Sequence, residues 1–318
     1  MDLAVARAKT DWFGFLSAYL VTMRPYLMFV SGITGIVGLA LVSNLTWSDG
    51  SLVFVASFLS YGFGQALTDC FQVDTDSISA PYRPLTQGTI GRAHVMALSL
   101  AGLTFCVGSL AVPWLLNLLL GTTAGIGLAT YTYFKRRWWG GPWYNGWIVS
   151  VLCIMAFLAG SHGELPLDVG KAAWTLLAVF FGYANFVLSG YFKDISADAA
   201  TGYRTLPVAF GRSIAAKVSD FLAAVTSLCA MMALGEITLA SLSLMVGGTA
   251  ALLLGQIQLH RISNDAEAHR AITPVVHGYI LVLSGIAVSH KPEWMLLLLV
   301  FYGGFVVTMG IRPAKHQI

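Results

Sequence analysis

Ten apolar runs follow one another along the chain, near 26–45, 51–72, 94–113, 115–134, 145–161, 171–192, 214–235, 237–260, 271–289 and 293–311. Most approach or exceed the roughly 20 residues that an α-helix needs to cross a bilayer. They show no period-two alternation and are too long for strands. In lipid each backbone N–H and C=O must be satisfied within its own segment, which leaves the helix as the one open-chain solution. Only 10% of the 318 residues are charged and 57% are hydrophobic, too few charges for a soluble domain of this size. The fold class is therefore all-α, a polytopic membrane bundle of nine to ten transmembrane helices. The run at 145–161 is the shortest, with Gly and Trp crowded at its start. The surroundings implied are the lipid bilayer and not nucleic acid; oligomeric state is not legible.

Charge then orients the bundle. With the N-terminus in the cytoplasm, Arg7, Lys9, Arg24, Arg83, Arg92, Lys135, Arg136, Arg137, Lys193, Arg204, Arg212, Lys217, Arg261, Arg270, Arg312 and Lys315 fall inside, and only Lys171 and Lys291 outside. This 16-to-2 split follows the positive-inside rule and supports ten spans, since an odd count would put Arg312 and Lys315 outside. Residues 1–23, with Trp12, Phe13, Phe15 and Tyr19, read as a cytoplasmic or interfacial segment rather than a cleavable signal. Residues 24–292 read as the transmembrane domain, and 293–318 as an additional C-terminal helix with a short cytoplasmic tail. A weak internal echo suggests two repeats of four helices with the last two appended. Cys70, Cys106, Cys153 and Cys229 have no metal or disulfide spacing and read as core residues.

Two stretches break the apolar pattern. QALTDCFQVDTDSISAPYRPLTQG, from Gln65 to Gly88, leaves a run carrying Asp69, Asp74 and Asp76. At 100° per residue Gln65, Asp69, Gln72 and Asp76 share a helix face, with Asp74 off it. YFKDISADAATGYRTLPVAFG, from Tyr191 to Gly211, places Asp194 and Asp198 four apart at the end of another run, beside Lys193 and Arg204. Asp at a helix C-terminus opposes the macrodipole, so such placements point to a cation. Oxygen-only ligands indicate a hard ion, Mg²⁺ above all. Two acidic helix ends with basic neighbours suit a polyanion held through metal, and diphosphate fits best.

These stretches resemble the two motifs of the UbiA superfamily of intramembrane prenyltransferases. The first runs roughly N-D-x-x-D-x-x-x-D before P-x-R-P. Anchored on Pro81-Tyr82-Arg83-Pro84, it puts Thr68, Asp69, Gln72 and Asp76 on the polar positions, with Thr68 replacing Asn and Gln72 replacing Asp. The second spaces its acids before G-x-x-T/S-L-P. Asp194 and Asp198 fit it, ahead of Gly202, Thr205, Leu206 and Pro207, with Tyr191 and Ser196 where some relatives carry acids. The wording PYRPL and LPVAFG is closest to the chlorophyll synthase and quinone prenyltransferase branch.

The resemblance implies a Mg²⁺-dependent enzyme that moves a prenyl group from a prenyl diphosphate to a lipophilic acceptor, an aromatic compound or a pigment or quinone precursor. It implies a multi-pass protein of the plasma membrane, bacterial in type; that both acidic stretches face the cytoplasm follows from the charge split rather than from the resemblance. Asp69, Asp76, Asp194 and Asp198 are then the catalytic metal ligands. Arg24 before Pro25, Arg83, Lys135, Lys193 and Arg204 are the diphosphate contacts. Gln65, Thr68, Gln72, Asp74, Asn145 and Tyr191 are candidate site lining, Asn145 reading better as a helix cap. His277 and Tyr279 are further candidates for the cavity. SGITGIVG at 31–38 and GTTAGIG at 121–127 read as close helix packing. An intramembrane terpene cyclase on the same scaffold and an ion-coupled transporter are the alternatives, the latter weakened because the acids cluster at one membrane face.

Overall fold

A computed structural model describes residues 12–312, so Arg7, Lys9, Lys315 and the tail after Arg312 lie outside the described residues. Thirteen α-helices and short 3₁₀ turns make up its regular structure, and no strand occurs among the described residues. They are α1 (Trp12–Met23), α2 (Met28–Ala40), α3 (Trp47–Asp69), α4 (Val73–Ser79), α5 (Arg92–Ala111), α6 (Leu116–Lys135) and α7 (Gly141–Ser161). Then come α8 (Val169–Gly190), α9 (Ile195–Ala200), α10 (Leu206–Met232), α11 (Leu239–Arg261), α12 (His269–His290) and α13 (Met295–Gly310).

Nine segments of the described residues are long and apolar enough to cross a membrane. The first, Trp12–Ala40, joins α1 and α2, so the boundary drawn after residue 23 falls at a break inside one apolar segment. Pro25 supplies that break, since it cannot continue a helix and restricts the residue before it. A tenth helix, α6, is diluted by Thr122, Thr123, Thr130 and Thr132 but has 20 residues. Its short connections to α5 and α7 make it run back between them. The run that looked short at 145–161 begins earlier, at Gly141-Pro142, with Pro in the first turn where its missing N–H costs nothing.

The core gathers around α12, where Ile280, Leu283 and Ile286 are fully buried against α2, α8 and α11. The echo that made the last two helices appendages is thus misleading for 271–289, which is a central helix. A Cβ on Gly248 would stand 2.7 Å from the Val282 amide nitrogen, so α11 and α12 meet backbone to backbone. Gly35 and Gly38 likewise press on Ser57 and on the Cys153 carbonyl, as expected for SGITGIVG. All four cysteines are buried and free. Outward faces carry Phe105, Leu119, Phe221, Val246 and Val300, apolar surface that lipid covers.

Candidate active site

Two short helices, α4 and α9, follow the long helices α3 and α8 at the same end of the bundle and pack on each other, with the hydroxyls of Thr75 and Thr201 3.1 Å apart. The chain does not stay helical from Gln65 to Asp76. α3 ends at Asp69, turns through Cys70–Gln72, and α4 starts at Val73. Gln65, Asp69, Gln72 and Asp76 nevertheless line one pocket, reached from two helices rather than from one face. Asp69 alone sits at the C-terminus of a long helix; Asp76 and Asp198 lie in the first turns of α4 and α9, and Asp194 is the residue before α9. There the helix N-terminus favours negative charge.

The pocket, of about 110 Å³, is walled by Arg24, Tyr61, Gln65, Thr68, Asp69, Gln72, Asp76, Arg83, Tyr131, Lys135, Asn145, Tyr183, Tyr191, Lys193 and Asp194, among others. Acids and bases alternate within it. Arg24 Nη2 donates to Asp69 Oδ2 at 2.8 Å and Oδ1 at 3.0 Å, while Gln65 Nε2 donates to Oδ1 at 2.6 Å. Arg24 does this from a left-handed backbone, φ 53°, a conformation that a non-glycine residue adopts at a cost. Arg83 Nη1 lies 2.5 Å from Asp76 and 4.0 Å from Asp69. Lys135 Nζ donates to Gln72 Oε1 at 2.8 Å, stands 3.7 Å from Asp198, and is flanked by the rings of Tyr191 and Tyr203. Lys193 lines the pocket with no salt bridge among the described residues.

Burial and these neighbours set the protonation states. Burial raises the Asp76 pKa despite Arg83. Burial alone would lower the Arg83 pKa, but Asp76, Asp69 and Asp194 outweigh it and keep the guanidinium charged. Burial also pushes Asp194 upward, yet Lys193, Lys135 and Arg83 hold it below its ordinary value. Asp198, fully buried, rises to about 6 because desolvation exceeds the pull of Lys135. Neither Asp198 oxygen accepts a hydrogen bond. Among the described residues no three acidic, His or Cys side chains form a ready-made metal cage. A buried carboxylate whose oxygens accept no hydrogen bond among the described residues, with Asp194 close by, fits an ion that takes its other ligands from a substrate.

Four candidates stand elsewhere. Asp74 pairs at the surface with Arg136 at 3.0 Å and takes the Tyr203 hydroxyl at 3.1 Å. Arg204 is exposed, and its backbone N–H donates to the Arg136 carbonyl at 3.0 Å. His277 bonds Tyr302 of α13 at 2.8 Å, and Tyr279 bonds Thr34 at 2.9 Å, so both serve helix packing. Asn145 is no cap: it lies a turn inside α7, which Gly140 precedes, and faces the pocket. Tyr61, Tyr131 and Tyr183 were missed. A signal existed, because Tyr61 and Tyr131 lie four residues before Gln65 and Lys135, on the same helix faces.

The polar pocket adjoins a second, apolar cavity of about 420 Å³ between α3, α5, α6 and α7. Tyr61, Gln65, Thr68, Asn145 and Tyr183 line both. Gly125 faces this cavity with open space where a Cβ would stand, so GTTAGIG only partly packs helices: Gly121 and Gly127 meet Val107 and Trp147, while Gly125 leaves room.

The UbiA prenyltransferase family profile matches residues 28–276, most of the chain and both acidic stretches. The chain belongs to that family. It is an integral-membrane prenyltransferase. It is 28% identical to the digeranylgeranylglyceryl phosphate synthase of Thermococcus kodakarensis over 262 residues, 80% of this chain and 91% of that one. It is 26% identical to the bacteriochlorophyll synthase 34 kDa chain of Chloroflexus aurantiacus over 227 residues, 68% and 72% of the two chains. Among solved structures, a UbiA homolog from Aeropyrum pernix K1 superposes with TM-score 0.68 at 20% identity, over 82% of this chain and 96% of that one. A UbiA homolog from Archaeoglobus fulgidus, bound to DMAPP and Mg²⁺, gives 0.60 at 18% identity, over 83% and 98%. The family assignment favours prenyl transfer over ion-coupled transport.

Proposed function

We propose that the polar pocket takes the diphosphate of a prenyl diphosphate, that the apolar cavity takes its isoprenoid tail, and that a lipophilic acceptor is alkylated where the two meet. The carrying observation is the pair of contiguous compartments, one charged and one apolar, sharing Tyr61, Gln65, Thr68, Asn145 and Tyr183. Lys193, Arg83 and Lys135 supply positive charge to the phosphate oxygens as pyrophosphate departs. Arg24 shares its charge between that anion and Asp69. Asp76, Asp194 and Asp198 would hold Mg²⁺, the ion found with DMAPP in the Archaeoglobus fulgidus homolog. Bound there, Mg²⁺ supplies Lewis-acid neutralisation and a template for the diphosphate. Asp69 already accepts from Arg24 and Gln65, so its first task is to fix them. The rings of Tyr61 and Tyr183 border the junction and that of Tyr131 the polar pocket, where aromatic faces stabilise an allylic cation and exclude water.

The acceptor is lipid-soluble and enters from the bilayer; the relatives' names, a glyceryl phosphate synthase and a bacteriochlorophyll synthase, span two acceptor chemistries. The site faces the cytoplasm of the plasma membrane. Thirteen of the fifteen described Lys and Arg residues follow the loop alternation to that side, leaving Lys171 and Lys291 on the other. The test is reconstitution in nanodiscs with geranyl, farnesyl and geranylgeranyl diphosphates, Mg²⁺ and a lipid extract. Pyrophosphate release and product mass are the readouts. Release should require the acceptor and vanish in chelator and in Asp198→Ala. Release without acceptor, with a cyclised hydrocarbon as product, would favour cyclase chemistry instead.

A further inference from the structure

α9 has six residues, too few to be stable without outside support, yet it carries Asp198 and begins after Asp194. Its first N–H groups need acceptors, and the usual source is the side chain of the residue at the cap position. That residue is Asp194, and its side chain makes no capping bond, because it lines the pocket instead. The bond comes from another part of the chain. Asp265, in the connection between α11 and α12, accepts from the Ser196 amide through Oδ2 at 2.7 Å. Its other oxygen, Oδ1, pairs with Arg212 of α10. The far end of α9 is closed separately. Gly202 takes φ +78°, the Tyr203 amide reaches the Asp198 carbonyl at 2.8 Å, and the Gly202 amide reaches that of Ala199 at 3.3 Å. This is a Schellman closure, which leaves the N-terminal end dependent on Asp265.

We infer that Asp265 is a positioning residue for the second acidic stretch: it caps α9 in place of Asp194 and so leaves the Asp194 carboxylate to the pocket. Without Asp265 the nearest carboxylate to the open amides of α9 is Asp194 itself, which would fold back onto its own helix and leave the site. The loop between α11 and α12 thereby sets the geometry of the metal ligands without touching them. The inference rests on the reading that Asp194 and Asp198 hold the substrate's metal.

Its test uses the full chain in nanodiscs, with hydrogen exchange of residues 195–200 and Mn²⁺ affinity measured by EPR in the presence of inorganic pyrophosphate. Partners behind metal ligands are typically worth 10- to 100-fold in affinity. Asp265→Ala should therefore weaken Mn²⁺ binding about tenfold and speed exchange across α9. Asp265→Asn keeps an acceptor oxygen for Ser196 and should restore both properties to nearly wild-type values. Should Asp265→Ala fail to fold, Arg212→Met, which releases the carboxylate from its other partner, should shift both readouts in the same direction by a smaller factor. Unchanged exchange in the variant that folds would overturn the capping role. Faster exchange with unchanged Mn²⁺ affinity would overturn the positioning role. Asp198→Ala separates the underlying reading: if it binds Mn²⁺ as wild type does, the metal assignment fails whatever Asp265 does.

Discussion

Arg24 and Asp69 give the sharpest stability prediction. Both are buried, at 7% and 3% exposure, and their N···O distance is 2.8 Å. Removing one partner of a buried pair costs about 3–5 kcal/mol, because the other charge is left desolvated. Here Asp69 would retain Gln65 at 2.6 Å and Arg83 at 4.0 Å, so Arg24→Ala belongs near the lower end, about 3 kcal/mol. At 2–4 °C per kcal/mol for a large chain, that is a fall of about 6–12 °C in Tm. Adding Asp69→Asn removes the stranded charge while keeping an acceptor for Gln65, so the double variant should recover at least half of the loss. Arg24→Gly should melt above Arg24→Ala, since glycine adopts the left-handed backbone at residue 24 freely. The assay is thermal unfolding in detergent without divalent metal. A Tm within 2 °C of wild type for Arg24→Ala, or a double variant less stable than it, would refute the reasoning.

Three further outcomes follow from the site. Gln72→Asp puts a carboxylate beside Lys135 and the proposed metal ligands, so the Mg²⁺ concentration for half-maximal activity should fall, while Phe71→Tyr leaves it unchanged; titration of activity with Mg²⁺ checks both. Gly125→Phe should fill the apolar cavity and raise KM for geranylgeranyl diphosphate at least tenfold while sparing the dimethylallyl substrate, measured by pyrophosphate release. Burial raises the pKa of Asp198 from its ordinary 3.8 to about 6, so stability falls as pH rises from 3.8 to about 6 and stays at the lower level above it. Asp198→Asn without metal should therefore be more stable than wild type at pH 8, by up to about 3 kcal/mol, with the gain shrinking at pH 5; a constant difference across that range would contradict the burial argument.

The bundle was legible because lipid demands long apolar helices, and the ten runs could be little else. The acidic stretches were legible because charge is rare here and each one stands out. What periodicity could not show is where a helix stops. From Gln65 to Asp76 an unbroken helix and the observed break at Cys70–Gln72 put the same polar residues on one side, so the pattern was right for a wrong local reason. Asp74 and Arg204 carry the right chemistry in the right stretches, but a turn of α4 and the bend after Gly202 send them to the surface beside Arg136 and Tyr203. Asp265 left no signal, because its partner is a backbone amide nearly seventy residues away.

The charge arrangement also bears on how the site stands when no substrate is bound. Asp69, Asp76 and Asp194 line one small pocket with Arg24, Arg83, Lys135 and Lys193, and Asp198 stands just behind it, 3.7 Å from Lys135. An unpaired buried charge costs several kcal/mol, about as much as a whole domain can spare, so acids alone could not wait there for a cation. Arg24, Arg83 and Lys135 serve as resident counter-ions for Asp69, Asp76 and Asp198. On the proposed reading, a metal–diphosphate complex exchanges these partners: carboxylates turn to the cation, and the guanidinium and ammonium groups turn to phosphate oxygens. Charge stays paired before and after. Arg83 must then loosen from Asp76 as ligand arrives, whereas Arg24 can keep Asp69 throughout. Lys193, which makes no salt bridge among the described residues, has the least to give up and is on this reading the first contact for the incoming anion.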